Sequence, residues 1–181
     1  MPEQEIQSAR TAVLESRSGG AAEYAPEAMA QADQALAHLE EELKLQADKS
    51  GVFRSYTRVN ELAAIAESTA VQANTLAAEG KVRAREEAMQ AIAEVKTSLE
   101  ETRAMLDQAV SGKGTEADLE AMRQDLMSVE QGLPQMEASF QSEAYLDAKE
   151  KAEAASATIT SIEVALSAAR EHQQAAKQPR S

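Results

Sequence analysis

LEAMRQDLMSVEQGLPQMEASF, residues 119–140, carries apolar side chains at Leu119, Met122, Leu126, Val129, Leu133, Met136 and Phe140. The steps between them are 3, 4, 3, 4, 3 and 4 residues. An average step of 3.5 places them on one stripe of an α-helix, the seam of a heptad pattern. A half-buried strand would alternate every second residue instead. The same period returns on either side. Downstream it runs through Tyr145, Ala148, Ala152, Ala155, Ile159, Ile162, Leu166 and Ala169. Upstream it runs through Ala88, Ile92, Val95, Leu99, Thr102, Leu106 and Ala109, and before that Val52, Tyr56, Val59, Ala63, Ala66, Ala70, Ala73 and Ala77. Met29, Ala32, Leu36, Leu39 and Leu43 form another seam, and Ile6, Ala9 and Val13 a short first one. The expected fold is all-α: an elongated, antiparallel, coiled-coil-like bundle of long helices, arranged as two helical hairpins in tandem.

Composition qualifies this reading. Leu, Ile, Val and Phe total 30 of 181 residues, and the net charge is −13, values that by themselves suit a disordered chain. The sustained period argues otherwise, because a solvated chain has no reason to keep one. The deficit is made up by alanine, 38 residues in all. A bulky ridge at 119–140 facing a small one at 145–155 lets two helices approach closely. Such a core is thin, since a buried methyl contributes far less than a buried Leu at roughly 1.5–3 kcal/mol. Helix propensity of alanine offsets part of that loss.

Several function classes drop out. With no cysteine there can be no disulfide scaffold, zinc ribbon, thiol nucleophile or Cys-attached haem. A charge of −13 argues against a nucleic-acid partner, which would need clustered Lys and Arg. No apolar run approaches the roughly 20 residues that span a bilayer.

Helix breaks are legible as well. Ser18-Gly19-Gly20 ends a first helix of about 4–17, and Pro26 suits the first turn of the second. Ser50-Gly51 separates the second from a third stretch at 52–110, which Gly80 could kink or split. Ser111-Gly112-Lys113-Gly114 is a loop, and Thr115 with Asp118 makes a capping-box-like start to the next helix. Pro134 predicts a kinked helix rather than two separate ones, because the heptad register continues through it. The tail at 173–181 is expected to fray. The chain thus reads as one domain, 1–181, with halves at about 4–80 and 81–175 sharing a long central helix. A weak repeat runs through it. Met29, Leu36, Leu39 and Leu43 return as Leu119, Leu126, Val129 and Leu133, and the pattern Tyr56, Glu61, Ala63, Ala66 returns as Tyr145, Glu150, Ala152, Ala155. Either a duplication or the self-alignment of Ala/Glu heptads explains it.

Candidate chemistry is sparse. His38 shares a helix face with Glu41 and Glu42, but a metal site needs three or four ligands and no second histidine is near. His172 falls in the tail. No Glu-x-x-His motif of the kind used by carboxylate di-metal bundles occurs. Gly112-Lys113-Gly114-Thr115 lacks the strand and upstream glycine of a phosphate loop. Glu40-Glu41-Glu42 and Glu86-Glu87 read as solvated helix faces, and Lys81, Arg83 and Arg85 as partners for glutamates on adjacent turns. Met29, Met122 and Met136 fill gaps along the seams. No catalytic, cofactor or metal residue is predicted.

Glu3-x-Glu5-Ile6-x2-Ala9-Arg10-x-Ala12-Val13, then Glu23-Tyr24-Ala25-Pro26-Glu27, Ala32-x2-Ala35-Leu36 and Phe53-Arg54-Ser55-Tyr56, resemble the DUF4398 proteins. The resemblance covers roughly residues 3–80, and Tyr145-x2-Ala148-x3-Ala152 adds to it. Those proteins are Ala-rich, helical and of unknown function, often envelope lipoproteins with a signal peptide and a lipid-modified Cys. The resemblance implies no catalytic residues. It implies a periplasmic or cell-envelope protein whose Met1-Pro2-Glu3 stands just after such a Cys; a native start at Met1 would instead mean a cytoplasmic one. The expected function is a non-enzymatic spacer or adaptor with a protein partner, touching membrane only through an N-terminal lipid anchor. The alternatives are a self-assembling coiled-coil oligomer and a chaperone-like binder of client helices.

Overall fold

The computed structural model describes residues 2–109 and 116–177, of which 172–177 by backbone alone. Among the described residues are six α-helices and no strand: α1 (Glu3–Ser18), α2 (Ala21–Tyr24), α3 (Pro26–Ala47), α4 (Thr57–Asp107), α5 (Glu116–Gln141) and α6 (Tyr145–Lys177). A 3-10 turn at Gly51–Phe53 precedes α4. The helices pack on one another, the all-α bundle that the seams predict. The chain divides into two compact units, Met1–Arg83 and Ala84–Ser181. Helix α4 contributes to both.

In the first unit α1, α3 and the first half of α4 close around one core. Ile6 and Ala9 meet Ala35, Leu39, Val59, Leu62, Ala63 and Ala66 at one end. Val13 meets Met29, Ala32, Ala70, Ala73 and Ala77 toward the other. Helix α3 therefore runs antiparallel to α1 and α4, which are parallel to each other. The α4 seam is almost all alanine and fully buried, so the helices can approach backbone to backbone. Arg10 is bidentate to Glu40 (2.7 and 2.9 Å), and Arg17 pairs with Asp33. One pair lies seven residues on along α1 and seven back along α3, which fixes the antiparallel register.

The second unit repeats the device. Lys96–Glu137 (2.6 Å) and Arg103–Glu130 (2.7 Å) link α4 to α5, again one heptad apart in antiparallel register. Glu87–Lys149 (2.8 Å), the Thr102 hydroxyl donating to Glu163 (2.8 Å) and Arg170 donating to the Met105 carbonyl (3.4 Å) tie α4 to α6 in parallel. The core is Ile92, Val95, Leu99 and Leu106 of α4, Leu119, Leu126, Val129 and Met136 of α5, and Tyr145, Ile159, Ile162 and Leu166 of α6, with Ala148, Ala152 and Ala155.

Burial supports the internal repeat. Ile6, Ala9, Val13 and Ser16 of α1 correspond at a shift of 86 to Ile92, Val95, Leu99 and Thr102 of α4, and all eight are buried. At a shift of 89, Ala63, Ala66, Ala70, Ala73 and Ala77 correspond to Ala152, Ala155, Ile159, Ile162 and Leu166, again all buried. Even the inward hydroxyls match. Ser16 and Thr102 occupy equivalent positions; Thr102 is bonded, whereas the Ser16 hydroxyl has no partner. Chance alignment of heptads would reproduce the spacing but not a polar residue at the same buried position.

Some expectations need correction. Val52 is not on the seam: it sits in the 3-10 turn, 92% exposed, and α4 begins only at Thr57. The turn interrupts the helical spacing that made 52–56–59 look continuous. Leu36 and Leu43 are half-buried, while Ala35 faces the core, because the α3 core face is rotated from the bulky stripe. Of the two outcomes left open at Gly80, the split does not occur: α4 runs through it without a break. Helix α5 passes through Pro134 as one helix rather than two, as the continuing heptad register predicts. The loop at 111–114 and the Thr115 cap lie outside the described residues.

The α5–α6 turn is a Schellman motif. Glu143 N–H donates to the Phe140 carbonyl (3.1 Å) and Ala144 N–H to Ser139 (2.9 Å). Glu143 sits at φ 64, the left-handed region that costs a residue with a Cβ roughly 1–2 kcal/mol. Glu143→Gly is therefore expected to stabilise the chain by about 1 kcal/mol, read as a higher urea midpoint. A lower midpoint would mean that the Glu143 side chain contributes more than its backbone strain costs.

Candidate functional site

The most distinctive local geometry in the first unit lies where α2 meets α4. Gly20, at φ 89, turns the chain out of α1 so that the single turn of α2 can form. That turn delivers the Tyr24 carbonyl directly onto Gly80 of α4: a Cβ at Gly80 would lie 2.3 Å from the oxygen. Pro26 then opens α3 at its first position, where a missing N–H costs nothing. The result is a groove of about 400 Å³ lined by Tyr24, Pro26 and Gln31 on one side and by Gln72, Leu76 and Arg83 on the other. Tyr24, Ala25, Pro26 and Glu27 form one wall.

Arg83 and Arg85 make no ion pair among the described residues, contrary to the expectation that glutamates on adjacent turns would take them. Arg83 instead borders the groove. The neighbouring acidic residue Glu87 is drawn across to Lys149 of α6.

The acidic run at 40–42 is less uniform than its sequence suggests. Glu40 is the bidentate partner of Arg10, Glu41 lies 3.7 Å from His38, and Glu42 accepts from Gln46 (2.7 Å). Only Glu40 holds helices together. His38 is more than half exposed, and no group of three metal-binding side chains occurs among the described residues. The side chain of His172 and the segment Gly112–Thr115 fall outside them. Met29 and Met136 are buried on their seams; Met122 is half-buried.

The Arg10 hydrogen bonds hold the Glu40 carboxyl below its ordinary range, and the same contact pushes the guanidinium upward. A carboxyl depressed in the folded state stabilises fully above its unfolded pKa of about 4.3, and that contribution is lost as pH falls through the folded value. The pair is more than a third exposed, so the effect stays below about 1 kcal/mol. Urea midpoints measured from pH 7 downward should show Glu40→Gln less stable than the parent near neutrality. The gap should close in acid. A constant gap would mean that the loss is one of packing rather than charge.

The second unit has grooves of its own. Met89, Ile92, Lys96, Glu137 and Phe140 line one of about 410 Å³, where Phe140 packs on Tyr145 with ring centroids 5.3 Å apart. Another, of about 510 Å³, lies between α5 and α6 around Leu119, Met122 and Ile162, with Asp118 and Asp125 at its rim. Both grooves combine apolar lining residues with charged ones, Lys96 and Glu137 in the first and Asp118 and Asp125 in the second. Sequence reasoning did not find them, because each combines residues from two helices whose register the sequence does not print. Comparison with protein-family models, curated proteins and solved structures found no match.

Proposed function

We propose that the chain is a non-enzymatic structural or adaptor protein of the bacterial cell envelope, a helical spacer that also offers a surface to a protein partner. The observation that carries this reading is the closure of each seam within its own unit, with two ion pairs one heptad apart fixing each antiparallel register. A chain whose seams are filled internally has little need of a second copy. This favours the spacer over the self-assembling coiled coil. The groove beside Tyr24 and Arg83 is the proposed partner surface, because the DUF4398-like element forms its wall. The apolar groove at Met89 and Phe140 gives the chaperone-like alternative a place to hold a client helix.

Two measurements test the proposal. Fractionation of cells expressing the gene with its own upstream sequence should place the protein with the membranes, with a lipid-modified N-terminus by mass spectrometry. A soluble cytoplasmic protein would sink the envelope assignment. Light scattering should give a monomer across concentrations, and a concentration-dependent oligomer would restore the assembly reading.

A further inference from the structure

Val52 and Phe53 are the two most exposed large apolar side chains among the described residues, at 92% and 75%, and they are adjacent. They are not on a slack loop. Arg54 donates to the Lys49 carbonyl (3.0 Å) and the Ala47 carbonyl (3.1 Å), which also caps the end of α3. Ser55 N–H donates to the buried Gln46 side chain (3.0 Å), and Phe53 N–H to the Ser50 carbonyl (2.9 Å). The turn is therefore braced from behind while its apolar tip points into solvent.

The local charge is opposite to that of the whole. Residues 49–60 form the longest stretch without a carboxylate in a chain of net charge −13, and they contain Lys49, Arg54 and Arg58. Arg58 is paired with Glu61 and Arg54 stays positive while bracing the turn, so Lys49 is the cation of this stretch that makes no ion pair among the described residues. An apolar tip flanked by cations matches the chemistry of an anionic bilayer interface, where apolar groups enter and Lys or Arg meets the headgroups. Asp48 directly precedes Lys49, so the attraction rests on the cations at the tip itself, while charges further off are screened by salt over about 10 Å.

Placement completes the argument. Tyr56 and Val59, just after the tip, pack with Ile6 near the start of α1. The tip and the beginning of α1 thus occupy the same end of the first unit. Any anchor upstream of α1 would hold the tip against the membrane at high effective concentration. We propose that Val52 and Phe53 form a weak interfacial contact with anionic lipid, at the end of the first unit where α1 begins. Glu3 and Glu5 open α1 at this same end, so the contact is confined to the tip.

This inference rests on the envelope reading for its bilayer, but its test supplies bilayer and tether independently. The chain has no tryptophan, so Phe53→Trp introduces a sole reporter. Leu14→Trp, on the solvent side of α1, is the control. Each full-length variant carries an N-terminal hexahistidine and is bound to vesicles of phosphatidylcholine, phosphatidylglycerol and a nickel-chelating lipid. Circular dichroism first confirms an unchanged helical fold. For Phe53→Trp the emission should shift to shorter wavelength and be strongly quenched by brominated lipid. Adding Lys49→Glu should weaken both effects. Leu14→Trp should show neither. If the reporter at 53 behaves like the one at 14, or both are quenched alike, the tip is not a lipid contact, and the spacer reading stands untouched.

Discussion

Gly80→Ala is expected to lower the stability of the first unit, by up to about 2 kcal/mol, although it replaces a helix breaker with the best helix former. The two effects can be weighed. Helix propensity favours alanine by about 1 kcal/mol. Against this, the new Cβ would sit 2.3 Å from the Tyr24 carbonyl oxygen and 3.2 Å from its carbon. That neighbour is backbone and cannot rotate away, so α2 must lift off α4 and loosen the contacts of Ala21 and Tyr24 with that end of the core. Overpacking of this kind costs about 1–3 kcal/mol, occasionally more. The same substitution at Gly132 provides the contrast. There a Cβ would meet only the tip of Met136 at 3.6 Å, an ordinary contact, so Gly132→Ala should gain about 1 kcal/mol. Thermal or urea unfolding of both variants should give shifts of opposite sign. Equal signs would show that α2 is not seated on α4 as described.

Pro134→Ala should stabilise the second unit by about 2–3 kcal/mol. Proline in a helix interior costs about 3 kcal/mol relative to alanine, through a lost hydrogen bond to the carbonyl four residues back and a ring clash. Here the affected carbonyl belongs to Glu130, whose side chain meanwhile holds Arg103 of α4. Pro134 itself is exposed, so alanine removes no core contact. Part of the gain is returned, because proline also restricts the unfolded chain by about 0.4–1 kcal/mol. Urea unfolding followed by circular dichroism measures the shift. An unchanged or lower midpoint would mean that the ring is accommodated at no cost, and that α5 is shaped around it.

Helices and seams were legible because burial along a helix leaves a one-dimensional trace: the 3–4 spacing of Leu119 to Phe140 needs no partner to be recognised. What joins the helices was not. Arg10 finds Glu40 and Lys96 finds Glu137 only once the antiparallel register is set, and register lies between helices. Gly80 shows the same limit. Its local statistics suggest a break, whereas its physical role is to make room for a carbonyl from another helix. Val52 misled in the opposite direction, since one apolar residue at the right spacing cannot reveal that a 3-10 turn has reset the phase. The grooves share this origin: each wall is readable alone, and the concavity exists only between them.

Helix α4 has a dual position in the repeat. Its first half corresponds to α6, which ends a unit, and its second half to α1, which begins one. A single helix is therefore the last member of one module and the first of the next, with no linker sequence between them. Such a grammar can be counted: adding one more module of about 89 residues (the interval from Tyr56 to Tyr145) needs only that α6 continue, as α4 does, into a new opening helix. Evolution or a protein engineer could then set the size of such a protein by whole-number copying, without inventing a new junction.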